Sequence, residues 1–273
     1  MIVTAGWRVR LPIKCQLMPE TRQRPATTGR RPIEAGGGIE PHWHDRNQIV
    51  YAGRGVLSVT TDAGTWVAPA TRAIWIPAGT LHQHRAYGET TLHTVGLTEN
   101  PLALTTPSAL VVSPLLRELI LTYTADEEAG EAGRPGQGAE GLETGERGRL
   151  RRVLLDQLRR SAQRPTYLPA PRDARLMAVC GVLRAEPADG RTLTELGREV
   201  GASERTLSRL CRAELGMSFP QWRTQLRLHE ALVLLASGES VTRVAHATGW
   251  ASTSAFIDTF KSAFGHTPGS RRA

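Results

Sequence analysis

The spacing of apolar residues changes once along this chain. From about residue 37 to 100 they come in short runs, QIVYAGRG, GVLSVTTDAG, GTWVAP, RAIWIPAG and TLHTVGL, rich in Val, Ile, Thr and Trp and separated by Gly or Pro. That pattern predicts short, evenly spaced strands, hence a barrel or sandwich. Past residue 113 the spacing becomes helical. Ser113-Pro114 reads as a cap with proline at the first helical position, opening PLLRELILTY. A second helix is predicted over about 149–161, with Leu150, Val153, Leu154 and Leu158 on one face. Residues 124–148, Gly-rich and acidic, read as a flexible connection. RPTYLPAPRD reads as a Pro-punctuated hinge, and from Asp173 onward the chain is helices with short turns. Residues 1–36, rich in Arg, Pro, Thr and Gly without a period, are expected to be disordered or an extension outside the fold.

The last hundred residues carry a repeated grammar. In TLTELGREVGASERTLSRLCRAELG (192–216), a short helix with Leu193, Leu196 and Val200 inside stops at Gly201. Ser203 then caps a second helix. Leu207, Leu210 and Cys211 face inward there, while Arg205, Arg209 and Arg212 fall at i, i+4 and i+7 on the outer face. A helix, a tight Gly turn and a helix with a basic outer face make a helix-turn-helix. The pattern returns 48 residues later, Gly201 to Gly249, over residues 240–265. Val241, Val244 and Ala245 are inside, Gly249 makes the turn, Ser252 caps, and Phe256, Phe260 and Phe264 face inward. A long helix, 219–237, joins the units, with Leu226, Ala231, Leu232 and Leu235 inside. Two such units on a rigid helix suit successive major-groove segments of one DNA face, about 34 Å apart.

These residues carry a family resemblance. Segment 172–273 resembles the AraC/XylS family of bacterial transcription regulators, most closely over GWASTSAFIDTFKSAFGHTP (249–268). The resemblance implies binding to double-stranded promoter DNA through the early exposed residues of each second helix. In the first unit these are Ser203, Arg205, Thr206, Ser208, Arg209 and Arg212; in the second, Ser252, Thr253, Ser254 and, further along, Lys261. Arginine suits bidentate contact with guanine or a phosphate. Asp258 stands where related proteins often carry a basic or polar residue, so the first unit is expected to supply more of the affinity.

In the strand-rich part, PHWHDRNQIVYAGRG places His42 and His44 one residue apart. On a strand both imidazoles point to one face, where they can begin a metal site or line a pocket. Gly36-x5-His42-x-His44-x3-Gln48-x6-Gly55 resembles the first cupin motif, and Pro77-Ala-Gly79-Thr-Leu-His82 the core of the second. The resemblance implies a double-stranded β-helix barrel with an effector pocket of His42, His44, Gln48 and His82. It also implies a possible divalent metal on His42, His44 and His82, three imidazoles that suit Fe, Mn, Ni, Cu or Zn. Gln48 stands where metal-binding cupins usually carry Glu. A metal-free pocket for an organic effector is the other reading. His84 shares the alternation of His82, which is compatible with joining the pocket, although a rim or solvated place is the expectation for it; His93 is less specific.

The fold class is therefore α+β in two domains: a cupin barrel, then an all-α domain with two helix-turn-helix motifs joined by a long helix. The domains run 37–112 for the sensor, 113–171 for a helical dimerisation and linker region, and 172–273 for DNA binding. No catalytic residues are expected: no nucleophile–base or acid–base pair stands at informative spacing, and Glu40 and Asp45 sit at loop-like positions. The competing reading is a metallo-cupin oxygenase or isomerase fused to a DNA-binding module.

Composition narrows this further. Of 34 basic residues only Lys14 and Lys261 are lysine, and the net charge is +8, compatible with a nucleic-acid partner. The three cysteines, Cys15, Cys180 and Cys211, form no CxxC or disulfide framework; the last two fall in apolar helical patterns and read as core. No apolar run approaches the ~18–20 residues of a membrane span, and Arg8, Arg10 and Lys14 interrupt any secretory signal. A cytoplasmic homodimer that senses a small molecule or metal is the expected protein.

Overall fold

The structure is a computed structural model that describes residues 22–125, 145–163 and 167–270. The described chain divides into two compact units, one of residues 22–59 and 66–163, the other of 167–270 together with one hairpin tip, 60–65.

The first unit is built on two sheets. One orders its strands β1 (Arg22–Gln23), β3 (Gly38–Trp43), β8 (His82–Tyr87), β5 (Val56–Thr60) and β6 (Gly64–Pro69). The other orders β10 (Ser108–Val111), β7 (Arg72–Ile76), β4 (Asn47–Ala52), β9 (Thr90–Leu97) and β2 (Gly29–Ile33). Every residue of β4 is buried, because the strand is covered on both faces. Ile49 and Tyr51 pack with Trp75, Leu97 and Leu110 against Leu116 and Ile120 of α1 (Pro114–Tyr123) and Leu154 and Leu158 of α2 (Glu146–Arg159). By alternation, Gln48, Val50 and Ala52 take the opposite face, away from the helices. Each wholly buried aliphatic side chain here contributes about 1.5–3 kcal/mol.

Two expectations need correction. Residues 22–36 belong to the fold: β2 pairs antiparallel with β9, and β1 pairs parallel with β3. The strand GRRPI buries only Gly29 and Ile33, so an edge position left it no apolar alternation to read. The expected hinge RPTYLPAPRD contains a short strand, β11 (Tyr167–Pro169). Residues 1–21, with Cys15, lie outside the described residues, as does 126–144 of the expected flexible connection. Gly145 precedes α2, which starts at Glu146.

The second unit follows the expected plan: α3 (Ala174–Ala185), α4 (Leu193–Glu199), α5 (Glu204–Leu215), α6 (Phe219–Ala236), α7 (Val241–Ala247) and α8 (Thr253–Phe264). Each helix start has its polar cap. Thr192 and Ser218 form capping boxes with Glu195 and Gln221, and Asp173, Ser203, Ser240 and Ser252 accept from first-turn amides. Leu207, Leu210 and Cys211 pack with Leu193, Leu196, Cys180 and the wholly buried Trp222. Phe256, Phe260 and Phe264 stack in series at centroid separations of 5.6 and 4.6 Å. Gly197 meets the Ala202 carbonyl so closely that a Cβ there would stand 2.4 Å from the oxygen; this lets α4 and α5 close around the first turn.

Candidate effector site and nucleic-acid interface

A β-bulge assembles the histidines. In the β3–β8 pairing, Gly38 lies opposite Arg85 and Ile39 opposite His84, but His42 lies opposite His82, a shift of one residue. Without the extra residue Pro41 would face His82, and His42 would point to the other side of the sheet. With it, His42, His44, His82 and His84 gather on one face. All four are buried, with exposures of 2, 5, 0 and 4%. Ring centroids of His42 lie 4.8 Å from His44, 4.4 Å from His82 and 5.5 Å from His84, and those of His82 and His84 are 4.9 Å apart.

The backbone fixes three of the rings. His42 Nδ1 lies 2.7 Å from the Glu40 carbonyl, His44 Nδ1 2.7 Å from that of Arg24, and His82 Nδ1 2.8 Å from that of Thr80. A carbonyl only accepts, so each Nδ1 carries the proton and donates, and each Nε2 presents a lone pair. Nε2 of His44 and His82, Nδ1 of His84 and Oε1 of Gln48 are buried without a partner. Burial keeps all four rings neutral, pushing His42 down to about 4 and His82 to about 3, with His44 and His84 also lowered.

The structure brings the predicted residues together with one change of membership. Ligand atoms of His42, His82 and His84 lie within 4.8 Å of one another; among the described residues this is the group that could hold a metal. His84, expected at the rim, is part of the cluster, and His44 stands beside it. His93 is also buried rather than solvated, but it lies opposite Tyr51, on the helix-covered face, with Nδ1 2.7 Å from Thr124 Oγ1. Gln48 is buried on the opposing sheet. Arg24, whose carbonyl accepts from His44, escaped the sequence reading because it follows a two-residue strand with no pattern of its own.

On the second unit, Arg205, Arg209 and Arg212 stand exposed along α5. None has an acidic partner among the described residues, whereas several other arginines of the unit are committed to structure. Arg175 pairs with Asp173, Arg191 with Asp189 and Glu199, and Arg227 donates to the Pro187 carbonyl at 3.1 Å. Thr206 and Ser208 are half-buried beside the stripe. Ser203 and Ser252 are exposed, with hydroxyl oxygens accepting from Thr206 N at 3.2 Å and Ala255 N at 3.1 Å, so they serve as caps. On α8, Ser254, Asp258 and Lys261 are exposed and Thr253 half-buried.

The two motifs meet at a residue that spacing alone did not single out for contact. Gly249, at φ +75°, approaches the turn between α3 and α4: a Cβ there would lie 2.7 Å from Ala188 Cα. Arg227 reaches the same turn through Pro187. The second turn is thereby seated against the start of the first motif.

Comparison with known proteins agrees with both halves. A helix-turn-helix domain family matches residues 196–273, and a cupin domain family matches residues 31–97. The HTH-type transcriptional regulator NimR of Escherichia coli is 34% identical over 231 residues, 84% of this chain and 80% of that protein. The HTH-type transcriptional regulator RipA of Corynebacterium glutamicum is 43% identical over 101 residues, 37% of this chain and 30% of that protein. A crystal structure of a DNA-binding transcriptional dual regulator from Escherichia coli K-12 is 33% identical, covering 36% of this chain and 93% of that one, with a TM-score of 0.33.

Proposed function

This chain belongs to the AraC/XylS family of DNA-binding transcription regulators, with a cupin domain as its ligand-sensing part, and on that premise we propose how its residues divide the work. Arg205, Arg209 and Arg212 make the principal DNA contacts, with Thr206 and Ser208 beside them. Thr253, Ser254 and Lys261 of the second motif add weaker ones, because Asp258 on the same exposed helix repels phosphate. Ser203 and Ser252 act by holding the helix starts in shape. The observation that carries this assignment is the row of three exposed arginines without acidic partners on one helix face, where Arg175, Arg191 and Arg243 of the same unit pair with carboxylates and Arg223 and Arg227 bond to carbonyls.

The effector enters the histidine-lined interior of the barrel, where buried lone pairs await a donor or a cation. Two copies associate through α1 and α2, which leave Leu115 and Val153 exposed at 52% and 43%. The effector regulates by favouring one arrangement of the dimer over another, which changes how the two copies meet successive operator sites. The barrel acts as the sensor, with its histidines as the effector-facing groups, and Glu40 and Asp45 beside the histidine motif stand exposed. No helix among the described residues is long and apolar enough to cross a membrane, and the protein works in the cytoplasm on chromosomal DNA.

Fluorescence anisotropy with a DNA fragment selected from random sequence by the full chain tests the assignment. Arg209→Ala should weaken specific binding while competition by unrelated DNA changes little. Unaltered affinity of that variant would defeat the assignment.

A further inference from the structure

The turn between α3 and α4 is gripped from three directions. From the linking helix α6, Arg227 donates through Nε to the Pro187 carbonyl at 3.1 Å and through Nη2 to the Asp189 carbonyl at 3.5 Å. One helical turn earlier, Arg223 donates through Nη2 to the Arg191 carbonyl, with its guanidinium 4.5 Å from the centre of the Phe219 ring. Residues 223 and 227 stand at i and i+4, on one face of α6. The carbonyls they reach alternate along Pro187, Asp189 and Arg191, so the two guanidiniums take up one edge of the turn. From the first motif, the Arg191 side chain pairs with Asp189 at 2.6 Å and with Glu199, the last residue of α4. From the second motif, Gly249 lies against Ala188, and a Cβ there would also stand 2.9 Å from Arg227 Nη2.

Arg227 therefore meets the entry to the first motif and the turn of the second at once. Backbone carbonyls in a half-buried turn need donors, and here the donors come from the helix that joins the motifs. A guanidinium suits the place because its planar fork holds Nε–H and Nη2–H in a fixed relation, matching two carbonyls two residues apart; an ammonium is a single donor centre. We propose that Arg227, with Arg223 beside it, is a positioning residue that locks residues 187–191 between α6 and Gly249, fixes the separation of α5 and α8, and so makes the protein selective for the spacing of its two operator segments. This rests on the reading above that both motifs meet DNA. One base pair added between the segments moves the second by about 3.4 Å and turns it by about 35°. A locked pair of helices cannot follow that displacement, and a loosened pair can.

The test uses the full chain and a fragment it selects from random sequence, with the protected segments located by footprinting. Versions with one base pair added or removed between the segments are compared by anisotropy. The wild type should bind the altered fragments at least about tenfold more weakly than the parent, the loss of one motif's base contacts, and Arg227→Met no more than about threefold more weakly. Arg227→Lys, which keeps the charge without the fork, should lose discrimination as Arg227→Met does, and Arg223→Met should move in the same direction. Arg175→Met, which removes an ion pair at the start of α3, should keep the wild-type spacing cost. Hydrogen exchange of α5 and α8 peptides at wild-type rates separates a loosened lock from an unfolded unit. Where Arg227→Met raises that exchange, Arg223→Met decides, and an unchanged spacing cost there overturns the proposal. So does a variant at 227 that binds every spacing uniformly more weakly, as a purely structural role would have it, or Arg227→Lys with the full wild-type cost. A wild type that protects two segments yet tolerates the added base pair also overturns it. A single protected segment defeats the two-motif reading itself, and the lock with it.

Discussion

Replacing Gly249 by alanine should damage the second unit far more than the same change at Gly201, although the two glycines hold equivalent places in the two motifs. Both have left-handed backbones, with φ of +75° and +65°. A Cβ in that conformation costs about 1–2 kcal/mol. At Gly201 nothing lies within 4 Å of the added carbon, so the cost ends there. At Gly249 the carbon would stand 2.7 Å from Ala188 Cα and 3.1 Å from the Ala188 carbonyl oxygen. These are backbone atoms, and making room for the carbon costs a further ~1–3 kcal/mol, typical of overpacking. Gly249→Ala is therefore expected to lose about 2–5 kcal/mol and Gly201→Ala about 1–2. Amide hydrogen exchange of α6–α8 peptides in the intact chain reads the difference as a change in local opening free energy. Because the shift falls where the second motif rests on the turn before the first, Gly249→Ala should also weaken binding to the full operator more than binding to unrelated DNA. Equal exchange for the two variants would refute the seating of Gly249 against Ala188.

Three further outcomes are expected. Arg209→Ala should weaken operator binding about 5- to 150-fold, the ~1–3 kcal/mol of one base contact, and Thr253→Ala should weaken it less; equal losses in an anisotropy titration would contradict the asymmetry between motifs. The chelator-treated first unit should be acid-labile. His42, His82 and His93 are held at about 4, 3 and 4 in the fold against 6.5 when unfolded, so the unfolded chain takes up protons first as pH falls. Their stabilisation is full above pH 6.5 and declines below it by up to about 1.4 kcal/mol per group per pH unit. Urea midpoints followed by exchange of β4 and β9 peptides should report a loss of about 4 kcal/mol between pH 7.5 and 5.5, and flat midpoints would show that the rings are not buried neutral. Val153→Arg should shift the chain toward monomer in sedimentation velocity while its barrel keeps its melting behaviour; an unchanged sedimentation coefficient would remove α2 from the interface.

What could be read from the sequence followed from how each signal is encoded. The helical unit was legible because caps, Gly turns and a three-to-four apolar period are local, and the set recurs 48 to 49 residues further along. Strands such as β4 and β7 announced themselves through Val, Ile and Trp. β2 did not, because an edge strand that buries only its two end residues has no alternation, and Arg22–Gln23 is too short to have one. The histidine site was half legible. His42 and His82 came from motif spacing, but the membership of His84 depends on the bulge between Ile39 and His42, which fixes their relation across two strands some forty residues apart. The Ala188–Gly249 approach is likewise a tertiary fact: glycine at a turn announces backbone freedom, and only the packed fold discloses that space, too, demands it.

The central claim is that this chain reads DNA through two motifs set on one rigid helix. Hydroxyl-radical footprinting of the full chain on a fragment it selects from random sequence tests it most directly. Each copy should protect two segments on one face of the duplex, about 10 base pairs apart. The protection over the segment read by the first motif should fade in Arg209→Ala. A single protected segment, or protection that ignores sequence and collapses uniformly with salt, would contradict the account.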